Sequence, residues 1–133
     1  RNQLSPLAGI KSTNVLDSIL AREEAAAAGA DDALLLNTEG NVAEASAANV
    51  FALIDGGLVT PPVSDGALPG IMRGEVIRLA RGEERTITVE SLERASEIFL
   101  SNALGLRPVV SINGKPVGDG EVGLITQLLA ARL

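Results

Sequence analysis

The sequence predicts an α+β domain, in which short strands are layered against a few helices. Two observations predict it. Apolar runs of strand length at 50–54, 58–60, 98–100 and 109–112 are bounded by turn residues such as Asp55-Gly56-Gly57 and Asn113-Gly114. Around them, segments at 15–28, 71–80 and 122–132 repeat apolar residues at helical spacing. The 133 residues are enough for one domain with a real core, read here as a single unit over 1–133. Aromatic residues make up 2%, Phe51 and Phe99 alone, so Ala, Val, Ile and Leu must build that core.

The elements follow in order. Ser12 or Thr13 caps a helix whose residues Val15, Leu16, Ile19 and Leu20 share one face, and which runs through an alanine block to stop at Gly29. Residues 33–36 read as a short buried strand, and Glu39-Gly40-Asn41 turns the chain into another near Val42. Strands at 50–54 and 58–60 flank a hairpin turn, and Pro61-Pro62 ends the second because proline cannot donate to a ladder. A loop over 64–70 leads into a helix over 71–80. A strand at 86–88, a short helix at 90–95 and strands at 98–100 and 109–112 come next. Asn113-Gly114 then turns the chain into 115–117, and a helix over 122–132 closes it.

The absences narrow the chemistry. There is no His, so neither an imidazole base nor a His-ligated metal comes from this chain, and there is no Cys for thiolate chemistry, zinc or disulfides. No metal site is expected. A net charge of −6 argues against nucleic acid as a partner, because phosphate backbones need a basic face. No apolar run of about 18 residues exists to span a membrane, and the first residues form no secretory signal. A cytoplasmic location is expected. The lack of Met at position 1 fits a chain that begins mid-protein.

Lys11 is the chief candidate for chemistry. It lies in Ser5-Pro6-Leu7-Ala8-Gly9-Ile10-Lys11-Ser12, an apolar, turn-rich approach to a helix. Apolar surroundings disfavour the charged ammonium and free the amine to attack a carbonyl as a Schiff-base nucleophile. Glu44 follows in Val42-Ala43-Glu44-Ala45-Ser46-Ala47-Ala48-Asn49-Val50-Phe51. A carboxylate near the same pocket can keep a cofactor's ring nitrogen protonated, and the pair suggests pyridoxal phosphate. Each residue also has a plain reading. Lys11 fits a surface lysine with its stem along apolar neighbours, and Glu44 a solvent-facing strand residue. Gly70-Ile71-Met72-Arg73 fits an ordinary helix start or one that aims N–H groups at a phosphate. Ser101-Asn102-Ala103-Leu104 fits a strand end or a second phosphate contact.

Taken in order, these segments resemble the fold-type IV pyridoxal-phosphate enzymes, the class IV aminotransferase family. The matching stretches are Ala8-Gly9-Ile10-Lys11, Gly29-Ala30-Asp31-Asp32-Ala33, Glu44 through Phe51, Thr60-Pro61-Pro62, Leu68-Pro69-Gly70-Ile71-Met72-Arg73, Ser96-Glu97-Ile98-Phe99-Leu100 and Gly118-Asp119-Gly120. The resemblance implies the C-terminal cofactor-binding domain of that fold. It assigns Lys11 to the cofactor-bearing, proton-shuttling lysine and Glu44 to the partner of the pyridine nitrogen. Ile71 and Met72 match backbone donors to the phosphate, Asn102 or Ala103 a second phosphate-side loop, and Asn49 a support for the cofactor strand. It further implies a small-molecule amino substrate, a homodimer, and a smaller N-terminal domain that this chain lacks. Val15 and Leu16 stand where many members carry a tyrosine, and Met72 replaces a threonine common in the transaminases.

Within the family, Ala47-Ala48-Asn49-Val50-Phe51, Gly70-Ile71-Met72-Arg73 and Asn102-Ala103-Leu104 resemble aminodeoxychorismate lyase, which releases 4-aminobenzoate, a folate precursor, and pyruvate. Ile10-Lys11-Ser12 with Asn14, and Gly118-Asp119-Gly120-Glu121-Val122-Gly123, resemble D-amino-acid aminotransferases. The lyase ranks first, narrowly. A D-amino-acid or branched-chain transaminase is the alternative, and a domain that kept the fold without activity is the third reading.

Overall fold

The computed structural model describes residues 1–6 and 16–133. The expected cap at Ser12 or Thr13 and the site residue Lys11 lie outside them. Helix α1 spans Leu16–Ala27, and Gly29, at φ 85°, breaks the chain away. None of its residues is buried, and Leu16, Ile19 and Leu20 are all exposed. Strands β1 (Leu34–Leu36) and β2 (Val42–Ala45) form an antiparallel pair. β1 is only partly buried, contrary to the buried strand expected there: among the described residues it pairs with β2 alone, in a two-stranded sheet.

The main sheet holds β3 (Asn49–Ile54), β4 (Gly57–Thr60), β5 (Glu83–Glu84), β6 (Glu97–Asn102) and β7 (Gly105–Val109) in the order β5-β4-β3-β6-β7. All neighbours are antiparallel except β4 and β5. Ile54 pairs with Gly57 across Asp55-Gly56, both at positive φ, the conformation of a tight type I′ hairpin. Helix α2 spans Ile71–Ala80, as its periodicity predicts.

Two expected strands differ. The strand placed at 86–88 forms instead at Glu83–Glu84. Thr88 has another task, capping α3 (Val89–Glu93) by exchanging hydrogen bonds with Ser91. The run 109–112 splits between the end of β7 and β8 (Ser111–Ile112). Pro108, opposite Phe99, has no N–H to give and keeps β7 at the sheet edge. β8 pairs with β9 (Lys115–Pro116), and α4 (Leu124–Ala130) ends the fold.

The alternation of strand side chains divides the core. On one face, Val50, Ala52, Ile54, Ile98 and Leu100 pack with Val42, Ile87 and Leu92. On the other, Phe51, Phe99 and Leu58 pack against Val76 of α2 and Leu129 of α4. Phe51 and Phe99 are paired across β3 and β6 and stack at 5.1 Å between ring centroids. That second face carries α2, and at its upper end it carries the candidate site.

Candidate functional site

Glu44 is buried, not solvent-facing. It sits in β2, whose residues are all buried, and retains 9% of its exposure. A buried carboxylate must find hydrogen bonds or give up its charge. Glu44 Oε1 accepts the N–H of Leu68 at 2.8 Å, and Oε2 faces the Arg1 guanidinium at 3.6 Å. Burial pushes the carboxyl above its ordinary range, while the Leu68 N–H and Arg1 pull it back. The net direction is up, so the charged form is under-compensated.

Asn49 opens β3 and is also buried. Its Nδ2 donates to the Leu68 carbonyl at 2.8 Å, and that carbonyl also accepts from Gly70 N at 2.8 Å. Leu68 thus ties Glu44 and Asn49 to the turn that leads into α2. Gly70 is the residue before the helix, extended at φ −66° and ψ 148°, with no side-chain capping bond. A serine or aspartate there would claim a leading N–H group; glycine leaves them available. Ile71 is 90% exposed, whereas Met72 packs its side chain against the Phe51–Phe99 core and offers the site only its backbone. Arg73, the next residue, is buried and donates to the Pro61 carbonyl at 3.1 Å and to Glu84.

The turn beyond β6 closes the same end. Asn49 pairs with Ser101, so the start of β3 lies against the end of β6. Asn102 Oδ1 accepts Leu104 N at 2.9 Å, which closes the Ala103-Leu104 turn, and its Nδ2 donates to the Ala47 carbonyl at 3.2 Å. Ala47 itself belongs to the turn that follows Glu44. Asp32 steadies that turn from below: it accepts from Ser46 Oγ, from Ala33 N at 2.7 Å, and from Arg107 at 2.7 Å. Although burial acts to raise it, these donors hold the Asp32 carboxyl below its ordinary value.

The fold therefore gathers Glu44, Asn49, the α2 start at Ile71 and Met72, and the Asn102-Ala103 turn at one end of the sheet. Residues the sequence reading did not weigh singly are Leu68, which contributes backbone, and Ser101, whose buried hydroxyl has no hydrogen-bond partner among the described residues. A lone hydroxyl in the apolar run Ile98-Phe99-Leu100-Ser101 was the available signal for Ser101. No sequence signal marks a backbone contact. Among the described residues no acidic cluster suits a metal ion, and no helix is long and apolar enough to cross a membrane.

Comparison with known proteins agrees with this fold. The profile of a family described as amino-transferase class IV matches residues 1–112. The branched-chain-amino-acid aminotransferase of Escherichia coli K12 is 37% identical over 128 residues, covering 92% of this chain and 41% of its own length. The branched-chain amino acid aminotransferase of Thermobaculum terrenum, in its PLP form, superposes with a TM-score of 0.93 at 36% identity, over 99% of this chain and 46% of its own. A Legionella pneumophila protein provisionally named a 4-amino-4-deoxychorismate lyase superposes with a TM-score of 0.89 at 39% identity, over 97% of this chain and 50% of its own. The chain spans less than half the length of the curated relatives it matches.

Proposed function

Starting from a chain that belongs to the class IV aminotransferase family, we propose that it is the cofactor-binding part of a pyridoxal 5'-phosphate-dependent transaminase acting on branched-chain amino acids. One observation carries the reading. Glu44 is a buried carboxylate fastened through Leu68 to a helix start that no side chain among the described residues caps. The names of the curated relatives, branched-chain aminotransferases, support the substrate class, and the PLP form of the Thermobaculum structure supports the cofactor. The transaminase, the alternative on sequence, now ranks ahead of the lyase.

The residues present fit such a cofactor. The N–H groups at Ile71 and Met72 suit its phosphate, because a helix N-terminus concentrates donors and partial positive charge. Glu44 suits its ring nitrogen: a protonated ring nitrogen supplies the counter-charge that burial leaves wanting. Ser101 adds a buried hydroxyl, without a partner among the described residues, on the face it shares with Asn49. When bound, the cofactor supplies an electron sink for the carbon that bears the substrate's amine. Lys11 takes the role of the amine that attaches the cofactor and then carries a proton on Nζ. Glu44 keeps the ring cationic, and α2 anchors the phosphate so that the ring keeps its orientation while the proton moves.

A second reading, aminodeoxychorismate lyase, is favoured by the Legionella relative and by the absence of tyrosine from the chain. Both share Lys11 and Glu44 and differ in what leaves. The discriminating assay supplies the full-length protein with branched-chain amino acids and a keto-acid acceptor, and separately with aminodeoxychorismate. Branched keto-acid formation supports the transaminase. Pyruvate release from aminodeoxychorismate without keto-acid formation supports the lyase.

A further inference from the structure

We infer that Asn49 is a positioning residue for the phosphate end of the site, an inference that rests on the cofactor reading above. Asn49 touches neither Glu44 nor α2 by sequence, yet its amide engages the segment that joins them. Nδ2 donates to the Leu68 carbonyl at 2.8 Å, while the N–H of the same residue donates to Glu44 at 2.8 Å. Oδ1 lies against Gly70, the last residue before α2: a Cβ added to Gly70 would sit 2.6 Å from it. The backbone of Gly70, at φ −66° and ψ 148°, is ordinary for alanine. A side chain at Gly70 would have to displace the Asn49 amide, whereas the backbone itself makes no demand for glycine.

The consequence is mechanical. A phosphorylated pyridine is held at two ends, its ring nitrogen by a carboxylate and its phosphate by the helix start. In this chain the two ends are joined through Leu68-Pro69-Gly70, and Asn49 clamps that link from the sheet. Without the clamp, Glu44 still holds Leu68 N–H, but the helix start loses its fixed bearing on the carboxylate. The Leu68 carbonyl keeps its bond from Gly70 N, so no buried acceptor is orphaned.

The test compares pyridoxal 5'-phosphate with pyridoxal, which lacks the phosphate, by absorbance titration of the full-length protein. Wild type should bind the phosphorylated form more tightly. Asn49→Ala should cut that preference by on the order of tenfold, as loss of one good hydrogen bond implies, and change pyridoxal binding by less than about threefold. Asn49→Leu keeps the bulk, adds no charge and cannot donate to Leu68, and should do the same, which guards against a fold-breaking effect of the smaller side chain. Gly70→Ala should cut the preference in wild type and cost nothing further in Asn49→Ala, where the space is vacated. An unchanged preference in both Asn49 variants, or an equal cost of Gly70→Ala in both backgrounds, overturns the inference. A wild type that does not prefer the phosphorylated form overturns the cofactor reading, and the inference with it.

Discussion

The carboxylate of Glu44 accepts the backbone N–H of Leu68 at 2.8 Å, and this contact links a buried charge on β2 to the loop before α2. The arrangement does not fully compensate the charge, since burial holds the Glu44 carboxyl above its ordinary range. A raised folded-state pKa contributes stability that is complete below the unfolded pKa and is lost as pH rises through the folded one. Glu44→Gln, which can still accept from Leu68 but carries no charge, should therefore melt higher than wild type near pH 7 in the cofactor-free protein. The difference should close below about pH 4, where the wild-type carboxyl is protonated in both states. Thermal melts across pH check this, and a difference that widens toward acid would contradict it.

The same substitution should act oppositely on function. In the full-length protein Glu44→Gln should lower turnover by on the order of 100-fold, because charge opposite the ring matters most as the substrate's carbanion-like charge develops. Cofactor affinity should fall by less than about tenfold, since an amide fills the same space and still hydrogen-bonds. Steady-state kinetics beside cofactor titration separate the two. Lost cofactor with unchanged turnover per bound cofactor would contradict the assignment of Glu44.

Glu97 supports the opposite end of the second core. From β6 its carboxylate accepts Thr126 N at 3.0 Å, Thr126 Oγ1 at 3.1 Å and Ile125 N at 3.2 Å, and so caps α4, whose preceding residue is Gly123. Glu97→Ala removes both the acceptors and the favourable charge at a helix start, and should cost about 1–2 kcal/mol. Urea unfolding would show it as a lower midpoint with an unchanged slope. Cofactor binding, proposed at the other end of the sheet, should not change.

Local signals were legible in the sequence where neighbours in the chain are also neighbours in space. Asp55-Gly56 and Asn113-Gly114 carry the positive φ angles that their turns need, and α2 begins and ends where its pattern says. What was not legible came from tertiary contacts. Thr88 has strand propensity but serves as a helix cap, so the expected strand at 86–88 gives way. The plain alternative for Glu44, a solvent-facing strand residue, fails because Leu68 and Arg1, brought from elsewhere, supply partners among the described residues for its buried carboxylate. The motif order named Glu44, Asn49, Ile71, Met72 and Asn102, which the fold brings to one end of the sheet, whereas the link through Leu68 needed coordinates.

The apolar faces of α1 and α4 bear on assembly. Leu16, Ile19 and Leu20 on α1 are exposed, and on α4 Leu124 is 66% and Leu128 55% exposed. Contiguous exposed apolar surface drives association. The purified chain should therefore self-associate with rising concentration, and the full-length protein should be a homodimer. Light scattering over a dilution series measures it. A mass that remains monomeric at high concentration would contradict the expectation.

The central claim, that Lys11 bears the cofactor, is tested most directly by covalent capture. The full-length protein is loaded with pyridoxal 5'-phosphate, reduced with borohydride, digested and mapped by mass spectrometry. The other lysine of the chain, Lys115, lies in the β8–β9 hairpin, paired opposite Ile112. The account predicts one reduced adduct, on Lys11, absent from Lys11→Ala. An adduct on Lys115 instead, or none on either lysine, would contradict it.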